Sequence, residues 1–379
     1  MQSVAMGVYL QTTTHNPTWL GLVTMGAWLP SLFASPIGGA LADRHRRQVI
    51  IQVCNLAMAL AATALAVLVL MNRLSPTIAV LLAIIEGFAS AASWASWQSL
   101  LRDLVSADEV MAAVSLSSAQ FNLGRVIGPL LAGVTLAVGS PGWCFVVNAV
   151  SFYFVVVVYM AVRSQPRIVP PTEHHLWEQI RHGARTAWRT PGTRSPIVTV
   201  AIVAFLLSPF IAFVPTMAIE IFRAGATGTS WLVTAQGVGA VIAAVWMPNV
   251  ARRTSRLAVI QGSIVVMVLA VVAYGLAPNL WLSVIAMVVV GGAYIGTLTG
   301  LNSTVQLLAP AAERSRILSL YTMSLSLAYP FGAFLQSFLV KSVGLRETTV
   351  ASAIVTAIIV AAVRVRRPSF FTVMGASGN

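Results

Sequence analysis

The chain has 379 residues, of which 58% are hydrophobic and 9% charged, against about 25% charged in an ordinary soluble domain. Its net charge of +13 is dispersed in short clusters between apolar runs, which excludes the single basic face that nucleic acid requires. The runs are near 20 residues long, enough to cross a hydrocarbon core of about 30 Å, and lack the short alternating segments of a barrel, so they are membrane-spanning helices with the lipid bilayer as partner.

In chain order, the apolar runs predict spans at 1–13, 18–41, 49–71, 77–99, 110–137 and 142–162. A polar stretch at 163–194 precedes spans at 195–219, 229–249, 257–276, 279–301, 316–340 and 345–363. Residues 1–13 reach only about 20 Å as a helix and begin mid-pattern, so a truncated first helix is expected. Within the polar stretch, Leu176, Trp177, Ile180, Ala184, Ala187 and Trp188 recur at helical spacing, with Glu178, Arg181, Arg185 and Arg189 opposite. This predicts an amphipathic helix lying on the inner leaflet or on the underside of the protein itself.

Eighteen of the 23 Lys and Arg residues fall on one set of connections, among them Arg44, Arg46, Arg47, Arg189, Arg253 and Arg367. Four fall on the other set (Arg73, Arg223, Lys341 and Arg346), and Arg125 lies inside a span. Positive charge marks the cytoplasmic side, which places both termini in the cytoplasm of a multi-pass inner (plasma) membrane protein. Cys54 and Cys144 fall at opposite membrane faces and cannot pair. Neither metal-ligand spacing nor a nucleotide-binding loop of the P-loop type is present, so no cofactor, metal or enzymatic activity is expected.

The chain repeats itself. ADEVMAAVSL (Ala107–Leu116) aligns without gaps with AAERSRILSL (Ala311–Leu320), and Glu109 with Glu313 and Gly128 with Gly332 share one offset. With six spans on each side of a polar middle, this indicates two parallel halves. The expected divisions are 1–162, a linker at 163–194, 195–363 and a tail at 364–379.

Two strings carry mechanism. The turn after the second span reads GALADRHRRQ (Gly39–Gln48). Gly38 and Gly39 permit close helix approach, and Asp43 can meet a helix N-terminus or an arginine. The string resembles the signature loop of the major facilitator superfamily, with Arg46 where that loop commonly has glycine. The resemblance implies a cytoplasmic latch made by Gly39, Asp43, Arg44 and Arg47. The second-half counterpart, NVARRTSR (Asn249–Arg256), keeps the arginines and lacks the acid. FNLGRVIGPLLAG (Phe121–Gly133) holds Gly124, Gly128 and Gly133 for packing and gating, with Pro129 able to kink the span. It resembles the Gly-Pro signature of antiporters in that superfamily, and its Asn-x-x-Arg start resembles the transmembrane secretion effector branch. The implied fold is all-α integral membrane, the major facilitator fold, with two six-helix halves, about 11 full transmembrane helices and a truncated first helix.

Glu86 and Arg125 are ionisable residues inside spans, where such residues are functional candidates by default. Their depths differ by roughly 5 Å, within reach of an ion pair on adjacent helices. Two readings stay open: Glu86 takes up a proton with Arg125 setting its affinity, or the two form a static structural pair. Ser90, Ser93 and Trp97 share one helix stripe with Glu86, and Trp94 lies beside it. That stripe is either the wall of a substrate cavity or ordinary packing. The expected function is a monomeric, proton-coupled exporter of a small amphiphilic molecule, a siderophore-like metabolite or a drug, working by alternating access. The alternatives are an importer of the same superfamily and a non-transporting membrane scaffold or degraded transporter.

Overall fold

The computed structural model describes residues 1–375 apart from 45, 107–108, 162–187, 189–190 and 311–313. It is helical throughout, with no strand among the described residues. Among the described residues, nine helices are long and apolar enough to cross a membrane. Contacts divide the chain into two units, Met1–Glu173 and His174–Asn379. The predicted linker helix lies outside the described residues except for Trp188.

Unit 1 contains α1 (Gln2–Thr14), α2 (Pro17–Trp28), α3 (Ser31–Arg44), α4 (Arg47–Leu70), α5 (Pro76–Asp103), α6 (Val110–Val138) and α7 (Pro141–Ala161). Starts are written in the sequence. Asn16 accepts a bond from the Thr18 amide at 3.1 Å and Ser75 one from Ile78 at 3.3 Å. Each is followed by a proline, whose missing N–H costs nothing in the first turn. The predicted second span is not continuous: it breaks at Leu29 and Pro30 into α2 and α3. Proline cannot supply the next ladder hydrogen bond and its ring crowds the turn before it.

Lipid offers no hydrophobic drive between helices, so close approach must come from small residues. On α4 the buried face is rich in alanine (Ala59, Ala61, Ala62 and Ala66), while Val53, Leu60 and Val67 point outward. The α2–α3 pair meets α5 through reciprocal glycines. A Cβ on Gly38 would lie 2.6 Å from Ala92 Cα, and one on Gly87 would lie 2.4 Å from the Ala27 carbonyl oxygen.

Unit 2 opens with α8 (Pro191–Ile202) and continues through a π-helical turn (Val203–Leu207), a 3-10 stretch (Ser208–Phe213), one α turn (Val214–Thr216) and a second π turn (Met217–Ile221). The unbroken helix expected there is corrected, and Pro209 explains the first irregularity. In an α-helix its N–H would bond to the Phe205 carbonyl. Gln336 fills that place, donating from Nε2 to the Phe205 oxygen at 3.3 Å and to the Leu206 oxygen at 2.9 Å. One turn earlier, Gly332 lets the helices touch: a Cβ there would fall 2.1 Å from the Phe205 oxygen. Gln336→Leu should leave both carbonyls without this donor and lower stability by about 1 kcal/mol, read as a lower melting temperature in detergent. An unchanged melting temperature would remove Gln336 from the support of this break.

The rest of unit 2 is α9 (Gly225–Arg253), α10 (Arg256–Leu276), α11 (Leu280–Leu308), α12 (Arg314–Val343), α13 (Leu345–Arg366) and the short α14 (Pro368–Thr372), which ends in a 3-10 turn (Val373–Gly375). Its main core gathers Phe210, Phe213 and Met217 of the broken helix with Leu232, Met267, Tyr274, Met287 and Val290. A second cluster packs Phe371 and Met374 of the tail against Val200, Ile260 and Ile317.

Candidate functional site

Three helices of unit 1 bring polar side chains together inside their apolar surroundings. Glu86 lies in the α5 stretch TIAVLLAIIEGFAS, where Gly87 draws α2 close and leaves the carboxyl half-buried. Gln2, in the first turn of α1, donates from Nε2 to Glu86 Oε2. Asn148, midway along α7, donates from Nδ2 to Gln2 Oε1. Glu86 Oε1 is buried and has no hydrogen-bond partner among the described residues. Tyr9 helps hold α1 in place, its hydroxyl donating to the Leu74 carbonyl at 3.0 Å.

A carboxylate oxygen without a donor away from water is costly, and each such group in a folded protein calls for an explanation. Arg125, the expected partner of Glu86, is on α6, but its side chain lies outside the described residues. Gln2 and Asn148 are what the sequence reading missed. The legible signal was an amide in the middle of the span PGWCFVVNAVSFYFVVVVYMA; in lipid a polar side chain needs a partner.

The predicted α5 stripe divides. Ser93 Oγ accepts from Asn55 Nδ2 of α4 at 3.2 Å. Trp97 donates from Nε1 to Ser117 Oγ of α6 at 3.3 Å and stands edge-on to Tyr159 of α7, with ring centres 6.4 Å apart. Ser90 and Trp94 are exposed. Ser93 and Trp97 thus tie α5 to three neighbouring helices.

At the signature loop, α3 ends at Arg44 and α4 begins at Arg47, a two-residue connection. The side chains of Asp43 and Arg44, and the surroundings of Gly39, lie outside the described residues; Arg47 is half-buried. On α6 a Cβ at Gly128 would lie 3.3 Å from the Met1 nitrogen, whereas one at Gly124 would meet nothing within 4 Å. Gly133 is half-buried, and the Pro129 side chain lies outside the described residues. At the start of α6, Ser106 donates to Glu109 Oε2 from its hydroxyl at 2.6 Å and its amide at 3.2 Å. These bonds hold the exposed Glu109 carboxyl below the usual range.

The chain matches the family described as transmembrane secretion effector over residues 1–373. It is 25% identical over 358 residues to the enterobactin exporter EntS of Shigella flexneri, covering 92% of this chain and 82% of that protein. It is 25% identical over 349 residues to the multidrug efflux pump Tap of Mycolicibacterium fortuitum, covering 89% and 85%. The crystal structure of the nucleoside transporter NupG matches with a TM-score of 0.74 at 14% identity, over 98% of this chain and 95% of that one, a likeness of fold.

Proposed function

Because the chain belongs to the transmembrane secretion effector family of major facilitator transporters, we propose that it exports a small amphiphilic molecule in exchange for protons. The carrying observation is Glu86, a half-buried carboxyl whose Oε1 is buried and unengaged among the described residues. The repeat strengthens this reading. At the offset that pairs Glu109 with Glu313, Gly87 meets Gly291 and Glu86 meets Val290, which is fully buried. A helix at this place packs with valine, so packing alone does not call for an acid.

In this reading the two halves hold six spans each, α1 through α7 with α2 and α3 as one span, then the broken helix and α9 through α13. They alternate access to a midplane cavity, with both termini cytoplasmic by the Lys and Arg bias. Gly39, Asp43, Arg44 and Arg47 form the cytoplasmic latch, and Arg125 tunes Glu86. Export and an amphiphilic cargo draw support from the exporters among the relatives, one named for enterobactin and one for multiple drugs. No charged residue lies deep in a second-half span, which suits a cargo without strong fixed charge.

The test uses everted membrane vesicles from cells expressing the chain, supplied with enterobactin or ethidium under an imposed proton gradient. Accumulation of either probe, abolished by a protonophore, is expected. Accumulation only in right-side-out vesicles, or accumulation indifferent to the protonophore, would contradict export by proton exchange.

A further inference from the structure

The hydrogen bonds around Glu86 have a direction, and that direction carries information. Asn148 donates to the carbonyl oxygen of the Gln2 side chain, and the amide nitrogen of Gln2 donates to Glu86. A side-chain amide has one accepting end and one donating end. With the accepting end engaged by Asn148, the donating end is turned toward Glu86. A donor favours the ionised carboxylate over the neutral acid, because a bond to a charged acceptor is roughly twice as strong. Were the Gln2 amide reversed, its carbonyl would face Glu86 and favour the protonated acid.

We propose that Gln2 is a positioning residue of the Glu86 proton site and that Asn148 acts through it by fixing which end of the Gln2 amide faces the carboxyl. The proposal rests on the reading of Glu86 as the coupling acid. The proton adds to a lone pair of Oε1, the oxygen unengaged among the described residues, and the carboxylate becomes a neutral acid. Oε2 then keeps its bond from Gln2 in weakened, uncharged form. Because Gln2 is on α1 and Asn148 on α7, loading the proton loosens one tie among three helices at once, and release tightens it.

The other titratable groups on elements packed against α5 are the Met1 amino group just before α1 and Tyr9 on it, Asp43 and Arg44 on α3, Arg47 and Cys54 on α4, Arg125 on α6, and Cys144, Tyr153 and Tyr159 on α7, whose Tyr159 ring meets Trp97; α2 carries none. Among the described residues none of these pairs with Glu86, and Tyr9 is committed to Leu74. The Arg125 side chain lies outside the described residues.

The experiment is an infrared pH titration of the purified full chain in detergent, following the carboxylic C=O stretch, with uphill ethidium efflux measured on the same variants. Glu86→Gln should remove the titrating band. Gln2→Leu, which removes the donor, should move the midpoint of that band about one pH unit toward alkaline. Asn148→Leu, which frees the Gln2 amide to reverse, should move it the same way. The double variant should shift no further than Gln2→Leu alone, because Asn148 has no route to Glu86 except through Gln2. Gln2→Met serves as a second replacement of similar length should leucine fold poorly. Midpoints unchanged in Gln2→Leu and Gln2→Met would overturn the proposal, and additive shifts in the double variant would overturn the role of Asn148. Either result leaves proton coupling at Glu86 standing if Glu86→Gln has lost uphill efflux. Uphill efflux retained by Glu86→Gln would instead remove the coupling reading, and this proposal with it.

Discussion

Replacing Glu86 with glutamine is expected to abolish uphill efflux while leaving binding of the probe and downhill movement in place. Glutamine keeps the shape of the side chain and can still accept from Gln2, but it cannot exchange a proton. The rival reading, a static ion pair with Arg125, predicts a different pattern. There, each single neutral substitution strands a buried charge and costs several kcal/mol, seen as lost expression. The double variant Glu86→Gln with Arg125→Gln would then recover both stability and transport. Under the coupling reading the double variant folds and stays inactive against a gradient. Uphill efflux at wild-type rate by a well-folded double variant would take Glu86 out of the mechanism.

The second large effect is expected at the crossing of α9 and α11. A Cβ on Gly239 would lie 1.8 Å from the Val288 carbonyl oxygen, and one on Gly291 would lie 1.9 Å from that of Gln236. Alanine gains about 1 kcal/mol of helix propensity over glycine, so two effects compete. The clash is with backbone, which cannot rotate away, and the helices must separate along their contact. Overpacking of this kind costs about 1–3 kcal/mol or more, so the clash wins. Gly291→Ala should therefore sharply lower melting temperature and yield in detergent, and Gly239→Ala should do the same. Gly124→Ala on α6 is the control, since an added Cβ there meets nothing within 4 Å; its melting temperature should hold or rise. Equal behaviour of Gly291→Ala and Gly124→Ala would show that the α9–α11 crossing yields more easily than its geometry implies.

How much of this was readable from residues alone follows from what hydropathy measures. A run such as Arg47–Leu70 or Arg256–Leu276 declares itself by length and apolarity, and both stand as helices close to the predicted bounds. Hydropathy is blind to the hydrogen-bond ladder. The stretch Gly192–Ile221 is the most apolar of the nine candidate spans, yet it holds two π turns and a 3-10 stretch. Pro209 announces a break, but only the distant Gln336 shows how the break is tolerated. Pro30 likewise marks a break within a run that reads as continuous.

The candidate site was half legible for a related reason. A carboxylate among leucines and isoleucines stands out, so Glu86 was found. Gln2 and Asn148 are neutral amides, and a single amide in a span looks like many that bond locally, as Asn55 does to the Ile51 carbonyl at 2.8 Å. Gln2 and Asn148 each reach another helix, and separations of 84 and 146 residues leave no local periodicity to reveal it.

The most direct test of proton-coupled export at Glu86 needs no imposed proton gradient. Purified protein is reconstituted in liposomes loaded with ethidium and a trapped pH indicator, then diluted into probe-free buffer. As ethidium leaves downhill through the wild-type chain, protons should enter and the lumen should acidify. Glu86→Gln should release ethidium with no acidification. Equal acidification by wild type and Glu86→Gln would contradict the account.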